Sequence, residues 1–179
     1  AEPDNAMART RLGVSRLMGG DAERAVADLE TAAGLKSDAG QADVALILTY
    51  LRRGDFDKAM AAQQQLATKQ PNNPQTYTLK GGILIGKKDA AGARAAFEKA
   101  LELNPDYVAA AVNLARLDIR DGRPEDARKR FDKIIFANPK NVEAYMLLAN
   151  LLASTGAKQA EILSVLERAA SANPGAVAP

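Results

Sequence analysis

The stretch that decides the fold is Pro74–Tyr107, PQTYTLKGGILIGKKDAAGARAAFEKALELNPDY. It holds two amphipathic runs joined by a short polar break. In the second run Ala93, Phe97, Ala100 and Leu101 recur at three- and four-residue steps, which lines one helical face with small and bulky apolar side chains. The first run, Tyr77 to Ile85, supplies a partner for that face, with Gly81 and Gly82 removing bulk opposite Ala93 where the two axes come closest. Asn104-Pro105 ends the second helix, because proline has no amide hydrogen and biases the residue before it away from helical geometry. The segment reads as a helix hairpin. A single hairpin cannot bury both of its sides, so the pattern should recur along the chain.

It does recur. Pro71, Pro105 and Pro139 lie 34 residues apart, Pro174 follows at 35, and Pro3 stands two periods before Pro71. Ser37 occupies the vacant point of that lattice. Repeats therefore begin at Ala6, Gly40, Pro74, Val108 and Val142 and span 6–39, 40–73, 74–107, 108–141 and 142–176. The eighth place of each holds Gly13, Ile47, Gly81, Ala115 and Ala149, so the second repeat breaks the small-residue pattern. The fifteenth, at the hairpin turn, holds Gly20, Gly54, Lys88, Gly122 and Gly156; glycine suits a helix end because it enters the left-handed region without steric cost. Ala25, Ala59, Ala93 and Ala127 occupy the twentieth place, with Ile162 in the fifth repeat once an extra residue near Ala157 is allowed for. The twenty-fourth place holds Leu29, Gln63, Phe97, Phe131 and Leu166, and the twenty-seventh Ala32, Leu66, Ala100, Ile134 and Ala169.

This register resembles the tetratricopeptide repeat family, whose unit has that length, a helix-turn-helix build and that sequence of small, aromatic and proline places. The resemblance covers essentially the whole chain and implies an all-α fold, a right-handed superhelix of five helix-turn-helix repeats. The aromatic signature is incomplete: the chain has no tryptophan, and the fourth place holds Arg9, Asp43, Tyr77, Ala111 and Tyr145. Glu2-Pro3-Asp4-Asn5 matches Gln70-Pro71-Asn72-Asn73 in register and reads as the tail of a preceding repeat, while Val177 would open a sixth. A single array cut from a longer one is the expectation, with bare ends on which other copies can stack.

Composition narrows the function. An apolar content of 47% with only 4% aromatic residues fits alanine-rich helix packing. Lys+Arg of 24 against Asp+Glu of 22 is too balanced to argue for nucleic acid or an anionic membrane. No apolar run approaches the roughly 18 residues of a membrane span, and no stretch reads as a secretory leader, so a soluble chain without membrane insertion is expected. With no histidine and no cysteine, the usual general base, the thiol nucleophile and most transition-metal sites are missing. Glu125-Asp126 opens a helix, where acids favour the positive dipole end, and Gly19-Gly20 and Gly81-Gly82 follow no strand and precede no phosphate-binding lysine. No enzyme, cofactor or metal is expected.

Function should lie on the first helices of the repeats. As the resemblance implies, these line a concave groove with their second, fifth, sixth, ninth, twelfth and thirteenth residues. In the first two repeats these include Met7, Val14, Leu17, Met18, Val44, Leu48 and Leu51, an apolar half, with Arg52 leading out of it. In the last three they include Gln75, Thr78, Asn113, Arg116, Arg120, Glu143, Met146 and Asn150, a polar half. Arg116 and Arg120 stand four apart on one helical face and can share one carboxylate of a partner, or can simply be solvated. Asn113 and Asn150 offer donor and acceptor to an extended backbone, or serve contacts between repeats. Met7 and Met18 read as packing against a preceding repeat. Co-chaperones of this family clamp a terminal carboxylate with Lys, Asn, Asn, Lys and Arg; the last such set here, Thr78, Gly82, Asn113, Glu143 and Leu147, matches only at Asn113, which excludes chaperone-tail recognition.

A finer resemblance rests on DVALILTYLRRGDFDKAM, YVAAAVNLARLDIRDGRPEDAR and LERAASANPGAVAP. These look like the long tetratricopeptide lipoproteins of bacterial exosortase (PEP-CTERM) systems, which accompany exopolysaccharide production. The resemblance implies a periplasmic or lipid-anchored place in the cell envelope and a protein or peptide partner. The expected role is a scaffold that holds a partner segment in the groove, with end-to-end self-association as the alternative.

Overall fold

The computed structural model describes residues 5–35 and 40–173. Among these lie ten α-helices and no strand: α1 (Ala6–Met18), α2 (Ala22–Gly34), α3 (Gln41–Arg53), α4 (Phe56–Lys69), α5 (Pro74–Gly86), α6 (Ala90–Leu103), α7 (Val108–Arg120), α8 (Pro124–Ala137), α9 (Val142–Ser154) and α10 (Gln159–Ala172). The all-α, helix-turn-helix reading holds. Pro3, Ser37, Pro174 and Val177, on which the outer lattice points and the bare ends rest, fall outside the described residues. The hairpin quoted first is longer at its start than the apolar run suggests: Pro74 takes the first helical position and the Asn73 side chain accepts from the Gln75 amide at 2.9 Å, so α5 begins a turn before Tyr77.

The turns obey the register. Gly20, Gly54, Gly122 and Gly156 have φ between 73° and 84°, and Lys88, at the same place in the third repeat, has φ 63°. Lys88 is the one non-glycine residue in the left-handed region among the described residues. Asp21 caps α2, as its position suggests, by accepting from the Arg24 amide at 3.2 Å; Asn5 and Asn141 do the same for α1 and α9, each at 3.0 Å.

The chain divides into two compact units, Ala1–Ala96 and Phe97–Pro179. In the first, Leu29, Ile47, Leu66 and Ile83 form a buried cluster with Ala32 and Ala59. In the second, Phe131, Ile134, Leu148 and Leu152 do so with Ala111, Ala127 and Ala144. Fully burying one such leucine or isoleucine contributes about 1.5–3 kcal/mol. All four alanines of the twentieth place, Ala25, Ala59, Ala93 and Ala127, are completely buried. A Cβ on Gly13 would stand 2.8 Å from Leu29 Cγ and 3.2 Å from the Ala25 carbonyl, so the eighth-place glycine is a close-approach residue. Gly82 is not: a Cβ there meets nothing within 4 Å, and buried Gly81 alone of that pair keeps the packing role. Gly86 is a second close-approach site, where a Cβ would lie 2.2 Å from the Phe56 ring.

Polar side chains enter the core where the aromatic signature lapses. Asp43, 2% exposed at the fourth place, takes Lys69 Nζ on both oxygens at 2.9 and 2.8 Å, and the same ammonium donates to the Ala33 carbonyl at 2.7 Å. One lysine thereby ties the ends of α2 and α4 to the start of α3. Gln63, at an otherwise apolar place, donates to the Thr76 carbonyl at 3.2 Å. Tyr50 donates to Glu30 across α2 and α3, and burial, then this hydrogen bond, push its hydroxyl pKa well above the usual phenol range.

Two ion pairs occupy the same two places of their repeats with the charges exchanged. Arg16 pairs with Asp28 at 2.5 Å within α1–α2, and Asp118 pairs with Arg130 at 2.5 Å within α7–α8. The third repeat puts Leu84 and Ala96 at these places. Removing one partner strands a buried charge, whereas replacing both with apolar residues does not. Asp118 is fully buried and retains Arg123 at 3.3 Å, so Arg130→Ala should cost about 2–3 kcal/mol in urea unfolding. The double variant Asp118→Leu/Arg130→Ala, which copies the third repeat, should recover at least half of that loss. Lys88→Gly should stabilise the protein by about 0.5–1 kcal/mol and raise Tm by about 2 °C in calorimetry, since it relieves a left-handed lysine.

Candidate functional site

In the first compact unit the first helices of the repeats are α1, α3 and α5. α1 packs on α2 and α3, and α3 packs on α1, α2, α4 and α5, while one flank along α1 and α3 stays open. On that open flank Val14, Leu48 and Met18 are 38%, 42% and 86% exposed. They frame two adjoining clefts between α1 and α3, of about 270 and 420 Å³, which share Val14, Met18 and Ala45. Leu17 and Arg52 line the smaller, Arg11 and Gln41 the larger. Val44 and Leu51 are partly buried against the core. Met7 and Met18, expected to pack against a preceding repeat, are exposed among the described residues.

The charge on these helices is one-sided. α1 and α3 carry five arginines and a single carboxylate, Asp43, which is buried under Lys69. Arg16 is held by Asp28, Arg53 pairs with Asp55, and Arg9 has interactions of its own. Arg11 and Arg52, both exposed, form no ion pair among the described residues, and both border the clefts. On α5, Gln75 is exposed at the first turn, while the Thr78 hydroxyl donates to the Pro74 carbonyl at 3.0 Å and is spent within its own helix.

In the second unit α7 and α9 present the remaining candidates. Asn113 donates its amide to the Ala109 carbonyl at 2.8 Å, one turn back, and so offers a partner its carbonyl oxygen more readily than its donor. Arg116 is exposed with no ion pair among the described residues, whereas Arg120 lies 3.4 Å from Asp121 at the end of α7. The two arginines share a helical face in sequence but not the same surroundings. Glu143, Met146 and Asn150 are exposed along α9. These side chains supply shape, charge and hydrogen bonding. Among the described residues no three His, Cys, Asp or Glu side chains gather to hold a metal, and no helix is long and apolar enough to cross a membrane.

The register that selects Val14 and Met18 also selects Thr10, Arg11, Gln41 and Ala45, which line the larger cleft. Ser15 and Thr49, at the tenth place, lie outside that register and were reachable only through the packing of α1 on α3.

Comparison with known proteins agrees with this geometry. Family models described as tetratricopeptide repeat match residues 10–74 and 44–108, and another with the same description matches 84–151. The chain is 35% identical over 75 residues to the mouse (Mus musculus) protein O-mannosyl-transferase TMTC1, covering 42% of this chain and 8% of that protein. It is 28% identical over 112 residues to the beta-barrel assembly-enhancing protease of Yersinia pestis, covering 63% of this chain and 23% of that protein. The chain thus spans less than a quarter of either relative. The crystal structure of YrrB, described as a TPR protein with an unusual peptide-binding site, superposes with a TM-score of 0.57 at 18% identity, over 97% of this chain and 89% of that one. Period, hairpin geometry and the matched family models lead to one conclusion: this chain belongs to the tetratricopeptide repeat family.

Proposed function

We propose that this chain is a non-catalytic scaffold that binds a partner protein through the open face of its first helices, taking an extended segment or a helix. The observation that carries this reading is the uncovered flank of α1 and α3, where Val14, Leu48 and Met18 stand exposed around open clefts beside Arg11 and Arg52, which form no ion pair among the described residues. Exposed apolar side chains gathered around a concavity and rimmed by polar groups mark interaction sites more than scattered ones do. YrrB, with the same fold, is described as having a peptide-binding site, and the proposal extends that mode of action to this chain. We place that partner in the bacterial envelope, in exosortase-associated exopolysaccharide assembly. Support for that setting comes from the sequence resemblance to the PEP-CTERM lipoproteins and from the likeness to a protease named for β-barrel assembly.

A second reading, self-association by stacking of repeats, is favoured by Leu12. It stands at the seventh place of its repeat and is 45% exposed, while Leu46, Leu114 and Leu148 at that place are at most 5% exposed. A hairpin of another copy would cover it. In sedimentation at rising concentration a partner-binding scaffold stays monomeric, whereas stacking produces a larger species that Leu12→Glu dissolves. In a cross-linking pull-down from a host envelope extract, Asn113→Ala/Arg116→Ala and Leu48→Asp should each reduce partner capture several-fold. Both variants alter exposed or half-exposed side chains and should hold Tm within about 2 °C. Undiminished capture by both would remove the open-face reading.

A further inference from the structure

Resting on that scaffold reading, we propose that the clefts between α1 and α3 form an anchor site for an acidic partner segment. One large apolar side chain enters between Val14, Met18 and Leu48, and carboxylates flanking it in sequence pair with Arg11 and Arg52. Three observations converge on this chemistry. First, the smaller cleft, about 270 Å³ with apolar walls, has room for a phenylalanine or leucine side chain; roughly 150 Å³ of apolar cavity suffices for benzene. Met18, 86% exposed at its lip, has the unbranched, polarizable side chain that folds down over an entering group.

Second, among the described residues no carboxylate lines either cleft, and the single acid on α1 and α3 is already neutralised by Lys69. The clefts are therefore bordered by positive charge although the whole chain carries only +2. Third, the cations that the fold uses internally are accounted for, Arg16 on Asp28 and Arg53 on Asp55, while Arg11 and Arg52 border the clefts with no ion pair among the described residues. Guanidinium groups in that state favour carboxylates, which they bind through paired hydrogen bonds. A nucleic acid is the poorer match, because no aromatic side chain lines the clefts to stack a base.

The test is fluorescence anisotropy on the full chain with a labelled nine-residue peptide carrying a central phenylalanine flanked by glutamates. Two control peptides replace the phenylalanine with alanine or the glutamates with glutamines. The acidic phenylalanine peptide should bind at least about tenfold more tightly than either control, since each control removes one of the two recognition elements. Arg11→Gln/Arg52→Gln should abolish the preference for glutamate over glutamine, and Leu48→Asp the preference for phenylalanine over alanine. Equal binding of all three peptides, no binding up to 1 mM (about the weakest specific contact worth assigning), or preferences unmoved by the variants would overturn the assignment. Stronger binding of a single-stranded oligonucleotide, or a dimer of the chain that Leu48→Asp dissolves, would do so too. The envelope pull-down reports separately. Partner capture that survives while the peptide fails rejects the acidic anchor and leaves the scaffold reading standing, whereas loss of neither in the Asn113, Arg116 and Leu48 variants rejects the scaffold itself.

Discussion

The closeness of paired helices is the constraint on which the rest depends. Where α1 meets α2, the eighth-place glycine has no space for even one more carbon, because Leu29 and the Ala25 carbonyl already occupy it. Ala25, Ala59, Ala93 and Ala127 are buried without remainder. Close approach of this kind trades side-chain volume for backbone proximity, and large residues such as Leu29, Phe97 and Phe131 at the twenty-fourth place, with Leu66 and Ile134 at the twenty-seventh, then fill the space on either side. Gly86 under the Phe56 ring extends the same economy from the hairpin to its neighbour. Ile47 departs from the small-residue rule and is nevertheless fully buried, so the second repeat accommodates by volume what the others achieve by proximity.

Buried polar groups do a different job. Apolar packing of helices is tolerant of sliding, while a hydrogen-bonded charge is not. Asp43 with Lys69 and the Ala33 carbonyl fixes three helix ends at once, and Asp118 with Arg130 and Arg123 fixes α7 against α8. The exchange of charge between Arg16–Asp28 and Asp118–Arg130 shows that the places, not the particular signs, are what the hairpin geometry brings together. Leucine and alanine at those places in the third repeat satisfy the same geometry without any charge.

The open flank of α1 and α3 follows from the same packing. Each first helix is covered by its own second helix and by its neighbours, and what remains uncovered must face outward. The residues there are not those of a covered helix surface: Val14, Leu48 and Met18 are exposed beside Arg11 and Arg52. In the proposed reading such a scaffold acts by shape and charge, with its specificity set by the side chains that the repeats place along that flank.

Much of this was legible in the residues. Thirty-four-residue spacing, turn glycines, buried alanines and the capping role of Asp21 all follow from local rules, since helix periodicity and left-handed turns depend on neighbours a few residues away. The family resemblance, not these rules, placed Val14, Leu48 and Arg52 on the groove face of the first helices. Local rules could not say which of Arg11, Arg16, Arg52 and Arg53 a carboxylate holds: Arg16 and Arg53 are held, while Arg11 and Arg52, at groove places of the register, stand beside a cleft. They also left Asp43 and Gln63 as blemishes in an apolar pattern, where tertiary contacts make them interior hydrogen-bonding groups. Sequence alone therefore settles the repeat, its helices and its turns, because those are written in short-range spacing. Which cations remain for a partner was decided only in the folded chain, because an ion pair depends on side chains that the fold, and not the local sequence, carries to within a few ångströms of one another.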